Sequence, residues 1–204
     1  MKKTLLFATA LLLSVSAYAQ KAVGSWTIQP KAGINLATMT NDNDAKTRLG
    51  LVAGAELQYQ ATPLFYLSAG ALYSQQGCET KSEGIDGTLK MDYINIPILA
   101  NLCVADGLAL KIGIQPGFLI NDKVEVSANG VSAEIGLKES YRAAGLDADV
   151  SSLDFAIPLG VSYEINNFVL EARYNCSLSK AISLLGESTK HSVFQLTLGY
   201  KFGL

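Results

Sequence analysis

Near the end of the chain, Phe194, Leu196, Leu198, Tyr200 and Phe202 fall on one face of an extended segment. Gln195, Thr197, Gly199 and Lys201 fall on the other. This period-two alternation, with an apolar face that ends in aromatics, suits the closing strand of a transmembrane β-barrel. A half-buried strand of a soluble sheet alternates in the same way, so the remaining segments must decide between the two.

Seven earlier stretches repeat the pattern. Strands are expected over about residues 25–38, then Leu49–Gln60, Phe65–Gln76, Leu89–Leu102, Leu108–Ile120, Leu153–Glu164 and Phe168–Leu178. The first sets Trp26, Ile28, Pro30, Ala32, Ile34 and Leu36 against Thr27, Gln29, Lys31, Gly33 and Asn35. Pro30 lacks an N–H and predicts a local defect or bulge. The polar stretches 39–48, 77–88 and 179–190 read as loops, and 121–152 is the longest connection. Within it, Asn129-Gly130 signals a hairpin between Lys123–Ala128 and Val131–Ile135, and residues 139–144 suit one helical turn.

Three patterns favour a membrane barrel. The short connections 61–64, 103–107 and 165–167 alternate with the long ones, as short periplasmic turns alternate with external loops. Aromatics on the apolar face gather near the two strand ends. Trp26, Tyr59, Phe65, Tyr163, Phe168, Tyr200 and Phe202 mark one rim; Tyr73, Phe118, Phe155, Tyr174 and Phe194 mark the other. The polar face holds small residues and about one charge per strand: Lys31, Glu56, Lys111, Asp154, Glu164, Glu171, Arg173 and Lys201. Buried charges need partners, so carboxylate–cation pairing is expected inside. Eight strands enclose only enough space for side chains, which predicts a plugged interior and no open pore.

The expected fold is therefore all-β: an eight-stranded antiparallel up-and-down transmembrane β-barrel of the outer membrane type. An N-terminal signal peptide is expected ahead of it. Lys2 and Lys3, the apolar run Leu5–Val15 and Ala17-Tyr18-Ala19 define a signal over 1–19, cleaved before Gln20. Residues 20–204 then form a single outer membrane barrel domain, with an external arm at 121–152. No cysteine follows the cleavage site to carry a lipid anchor. No later run is long and apolar enough for a transmembrane helix. Charged residues are 17% of the chain, below the roughly 25% usual for soluble domains. A net charge of −2 gives no argument for nucleic acid. Cys78, Cys103 and Cys176 are an odd set, expected as thiols.

The chain also resembles the PorT-like outer membrane β-barrel proteins of Bacteroidetes. The resemblance rests on Tyr93-Ile94-Asn95-Ile96-Pro97-Ile98-Leu99, on Leu153-Asp154-Phe155 with Gly160, on Glu171-Ala172-Arg173-Tyr174-Asn175, and on Phe194 to Phe202. It implies an outer membrane barrel in a family whose named member is associated with protein secretion. The two residues after Phe202 depart from barrels that end on the aromatic.

No catalytic, cofactor-binding or metal-binding residues are expected, and no cofactor. His191 is the sole histidine. Beside Ser192, with Asp154 or Glu187, it has the residue types of a rim acyltransferase, but a solvated rim histidine is the expectation. Asn41-Asp42-Asn43-Asp44 lacks the spacing of a calcium loop. Gly50, Gly54, Gly70 and Gly113 are attributed to crowding in a narrow lumen. The expected function is that of a non-enzymatic outer membrane protein, structural or partner-binding. Its partners would be membrane lipid and, through its external loops, another cell-envelope protein. The alternative is an exported soluble lipocalin-like ligand-binding barrel with the apolar face inward.

Overall fold

The computed structural model describes residues 22–40, 46–82, 85–128, 131–137, 148–179, 181–184 and 187–204. The signal segment, the 41–44 run, the 129–130 turn and the 139–144 helical turn lie outside the described residues.

Thirteen strands follow one another: β1 (Trp26–Thr40), β2 (Lys46–Thr62), β3 (Phe65–Ser82), β4 (Ile85–Asn95), β5 (Ile98–Ala105), β6 (Leu108–Ala128) and β7 (Val131–Gly136), then β8 (Ala148–Val150), β9 (Leu153–Ile165), β10 (Phe168–Ser177), β11 (Ile182–Leu184), β12 (Glu187–Tyr200) and β13 (Phe202–Gly203). They build eight staves, because β4 and β5 share one and β12 and β13 share another. Each stave pairs antiparallel with its chain neighbours. β1 pairs with β12, from Lys31↔Gly199 to Thr40↔Lys190, and closes the ring. A closed ring leaves no edge in the wall.

Proline accounts for the breaks, because it has no N–H to give a ladder. Pro97 separates β4 from β5. Pro158 faces the gap in the β6–β9 pairing between Ile112↔Leu159 and Gln115↔Ala156. Pro30 faces the end of β12, where the Lys201 amide donates to the Asn167 carbonyl on the opposite side. The expected Pro30 defect is thus an interrupted ladder without a bulge: the pairing resumes in the same register at Ile28↔Phe202.

Which side of the strand faces out is settled by burial. Gln29, Asn35, Glu56 and Asn101 are fully buried, whereas Leu51 is 60% exposed, Ile112 54%, Leu159 48% and Leu198 56%. The apolar face is the outside of the barrel and the polar face its lining. A lipocalin-like arrangement requires the reverse and is overturned. The aromatic rims form as expected. At the short-turn end Trp26 lies 4.9 Å from Tyr59, and Phe168 5.0 Å from Tyr200, between ring centroids. Asn166 and Gly107 take the left-handed backbone of tight turns there, with φ of 56° and 68°.

The polar stretches beyond the far rim differ from expectation. Residues 77–82 and 85–88, expected in a loop, are strand: β3 and β4 continue through them, paired from Gly77↔Lys90 to Ser82↔Ile85. The stretch 179–190 likewise contributes β11 and the start of β12. Backbone pairing needs no apolar face, so strands run on after the alternation stops. The expected hairpin in the long connection is present, with β6 and β7 paired from Lys123↔Gly136 to Ala128↔Val131. β8 pairs with β11.

Candidate functional site

The lumen is organised in storeys, because inward positions recur every two residues on every stave. At the short-turn end, Lys201 Nζ lies 2.6 Å from Glu164 Oε2 and 5.0 Å above the Tyr66 ring. At mid-height, five ions from four staves meet. Lys31 Nζ reaches Glu56 Oε1 at 2.5 Å and Glu171 Oε1 at 3.2 Å. Lys111 Nζ reaches Glu171 Oε2 at 2.6 Å. Arg173 Nη2 donates to Glu56 Oε1 at 2.8 Å and also to Glu171 Oε1. No side chain in this cluster is more than 1% exposed.

Glycines make room for the cluster. A Cβ on Gly70 would stand 2.7 Å from Glu56 Cγ and 2.3 Å from the Ala55 carbonyl oxygen. One on Gly199 would meet Lys31 Cβ at 3.1 Å. Gly50, Gly54 and Gly113 each place a strand carbonyl within 2.4 Å of the same point, so crowding explains them as expected.

Above the ions lies a storey of amides and hydroxyls. Asn35 Nδ2 donates to Ser74 Oγ at 2.9 Å, and Asn175 Nδ2 to Gln195 Oε1 at 3.4 Å. Higher still, Tyr93 Oη and His191 Nε2 are 3.1 Å apart. Asp154 accepts from Ser177 Oγ at 2.8 Å and Ser179 Oγ at 2.7 Å. At the top the lining turns apolar, where Met39, Cys78, Met91 and Tyr93 pack with Leu137 from the arm and with Ala181.

This geometry corrects two expectations. His191 is not a solvated rim residue: it is 1% exposed, with Tyr93 against it and Met39 as its cross-strand partner. Nor does it address Ser192, which faces the other way and bonds the Tyr174 hydroxyl at 2.8 Å. Adjacent residues of one strand point to opposite faces, so this His-Ser pair cannot form a catalytic couple. Glu187's side chain lies outside the described residues. Second, Asp154 takes hydroxyls as partners where a cation was expected. The remaining lumen charges pair as the alternation implies. Arg48, bonded to the Gln76 carbonyl, and Asp92, bonded by Asn121 Nδ2 at 3.1 Å, join them. Arg48 lies in the stretch expected as a loop, and Asp92 within the expected strand Leu89–Leu102, beside the register shift between Asp92 and Tyr93. No disulfide joins Cys78, Cys103 and Cys176, and no group of three metal-ligating side chains occurs among the described residues.

Outside the barrel, Lys90 Nζ bridges Glu125 at 2.6 Å and Glu134 at 2.7 Å, and Lys123 approaches Glu134 at 3.3 Å. The hydrogen bond from Lys90 holds the Glu134 carboxyl below its ordinary range; that to Glu125 holds Lys90 above its own.

A closed antiparallel ring of eight staves, greasy outside and polar inside, defines a transmembrane β-barrel. Such a barrel spans a bacterial outer membrane and contacts its lipid. Comparison with known proteins agrees. Residues 18–183 match the model of the outer membrane protein beta-barrel domain, and the chain belongs to that family. No match was found among curated protein sequences. Among solved structures, the attachment invasion locus protein Ail of Yersinia pestis, in complex with the heparin analogue sucrose octasulfate, is similar. It is 16% identical over 88% of this chain and 99% of its own, with a TM-score of 0.51. Neisserial surface protein A is 13% identical over 86% and 95%, with a TM-score of 0.47. At such identities the likeness concerns the fold alone.

Proposed function

We propose that the protein is a non-enzymatic outer membrane barrel whose interior is plugged by its own side chains. Its external arm, residues 121–152, docks another cell-envelope protein. The five-ion cluster carries the first half of this reading. It spans the lumen from β1, β2, β6 and β10 with no side chain above 1% exposure. The docking half is supported by β7, which pairs with β6 along one edge and has no second strand among the described residues. An open edge is a template for an added strand. Residues 1–19 serve as the cleaved signal, and 20–204 as one domain. The short turns then face the periplasm and the arm the exterior. The PorT-like reading gains support from Tyr93–Leu99, where Tyr93, Asn95, Pro97 and Leu99 line the interior at the β4–β5 break.

Purified protein in planar lipid bilayers is expected to give no discrete conductance steps; stepwise ion currents would overturn the plug. A photocrosslinker at Ile135, 48% exposed on β7, is expected to give one adduct of defined mass in intact cells. Absence of any adduct, with the barrel present at the surface, overturns the docking role.

A further inference from the structure

The five-ion cluster does not balance. Among the described residues, Lys31, Lys111 and Arg173 face only Glu56 and Glu171, leaving one positive charge in excess at the centre of the barrel. Among the described residues nothing adjacent makes up the difference. Lys201 is already matched by Glu164. Asp154 stands six residues along β9 from Gly160, the partner of Arg173. That is about 20 Å away at 3.3 Å per residue, and two hydroxyls hold it there. An uncompensated charge in a desolvated site is costly.

A set of unused donors lies beside that excess. Arg173 spends Nη2 on both carboxylates, while its Nε and Nη1 have no partner among the described residues. Gln195, its cross-strand neighbour on β12, has an unpartnered Nε2, and Thr197, opposite Glu171, an unpartnered hydroxyl. Arg173 and Gln195 are 1% exposed and Thr197 2%. All of these groups donate, and they crowd on facing positions of β10 and β12.

We infer that this corner of the lumen binds one small monovalent anion, of the size and charge of chloride, held by Arg173, Gln195 and Thr197. The anion completes the charge balance of the cluster and is part of the folded barrel's core. The inference does not depend on the arm or on the absence of conductance.

The test uses the mature chain refolded into detergent micelles in chloride, bromide or gluconate at matched ionic strength. Unfolding midpoints are expected to rise saturably in chloride and bromide and not in gluconate, an anion too large for the lumen. Gln195→Leu keeps the charge excess but removes a donor. It is expected to raise the halide concentration for half effect by about tenfold. Lys111→Met neutralises the excess and is expected to abolish the halide effect, whereas Lys123→Met, outside the barrel, keeps it. Should Lys111→Met not fold, bromide anomalous scattering from wild-type crystals gives the same answer through a peak beside Arg173. Equal midpoints in all three salts would mean that the cluster sheds a lysine proton instead, and would overturn the site. So would a halide effect that survives in Lys111→Met, or a bromide peak elsewhere.

Discussion

The molecule holds the same chemistry in two places. In the lumen, Lys31, Lys111 and Arg173 meet Glu56 and Glu171 with essentially no solvent access. On the external strands, Lys90 and Lys123 meet Glu125 and Glu134 at comparable distances, but with side chains 28–46% exposed. Water decides what each cluster is worth. An external ion that loses its partner is rehydrated; a lumen ion is not. The inner cluster is therefore an obligation of the fold, and the outer one an option.

Breaking the inner cluster should give the largest effect. Glu171→Ala leaves Lys31, Lys111 and Arg173 with a single carboxylate. It is expected to lower stability by about 3–5 kcal/mol in urea unfolding from micelles, the range for orphaned buried charges. A loss below 1 kcal/mol would show that water enters the lumen and would erase the contrast. Next comes the space around the ions. Gly70→Ala drives a methyl against the Ala55 carbonyl and Glu56, and should cost about 1–3 kcal/mol, by the same measurement, as an overpacked core does. Smaller again, Lys90→Ala in the external sheet should cost under about 1 kcal/mol, and that loss should vanish in concentrated salt.

The smallest effect is a pH dependence of the outer cluster. Glu134 is held below its ordinary value of 4.5, so its contribution is present above that value and is lost as pH falls through the lowered one. Lys90 is held above its ordinary value of 10.5, so its contribution is present below that value and is lost as pH rises through the raised one. Protection of the β7 amides, taken relative to the intrinsic exchange rate at each pH, is expected to be highest between these limits and to fall in acid. Lys90→Ala should flatten the profile, and an unchanged profile would remove any role for these pairs in holding the arm.

Much of the wall was legible because its signal is local. Trp26 to Leu36 or Phe194 to Phe202 can be read without any other part of the chain, and lipid on one side with protein on the other enforces strict alternation. The storeys inside were legible only as a list of charges. Lys31 and Glu171 are 140 residues apart in sequence, and no pattern along the chain says that they touch. The external strands were misread as loops for a related reason. Residues 77–82 and 85–88 lie beyond Tyr73 of the outer aromatic rim, where the period-two signature fades while the pairing continues. The burial of His191 escapes the sequence because its environment is made by Tyr93 and by its cross-strand partner Met39, contributed by two distant segments.

The order of residues thus determined by itself that the wall is made of eight strands, which face of each is apolar and that they meet lipid. All of this follows from side-chain direction and hydropathy over a few neighbours. Only ring closure decided which charges share the centre, that cations there outnumber carboxylates, and that the single histidine is buried against Tyr93. Those properties belong to staves brought together from distant parts of the chain, and they exist only once the eighth has paired with the first.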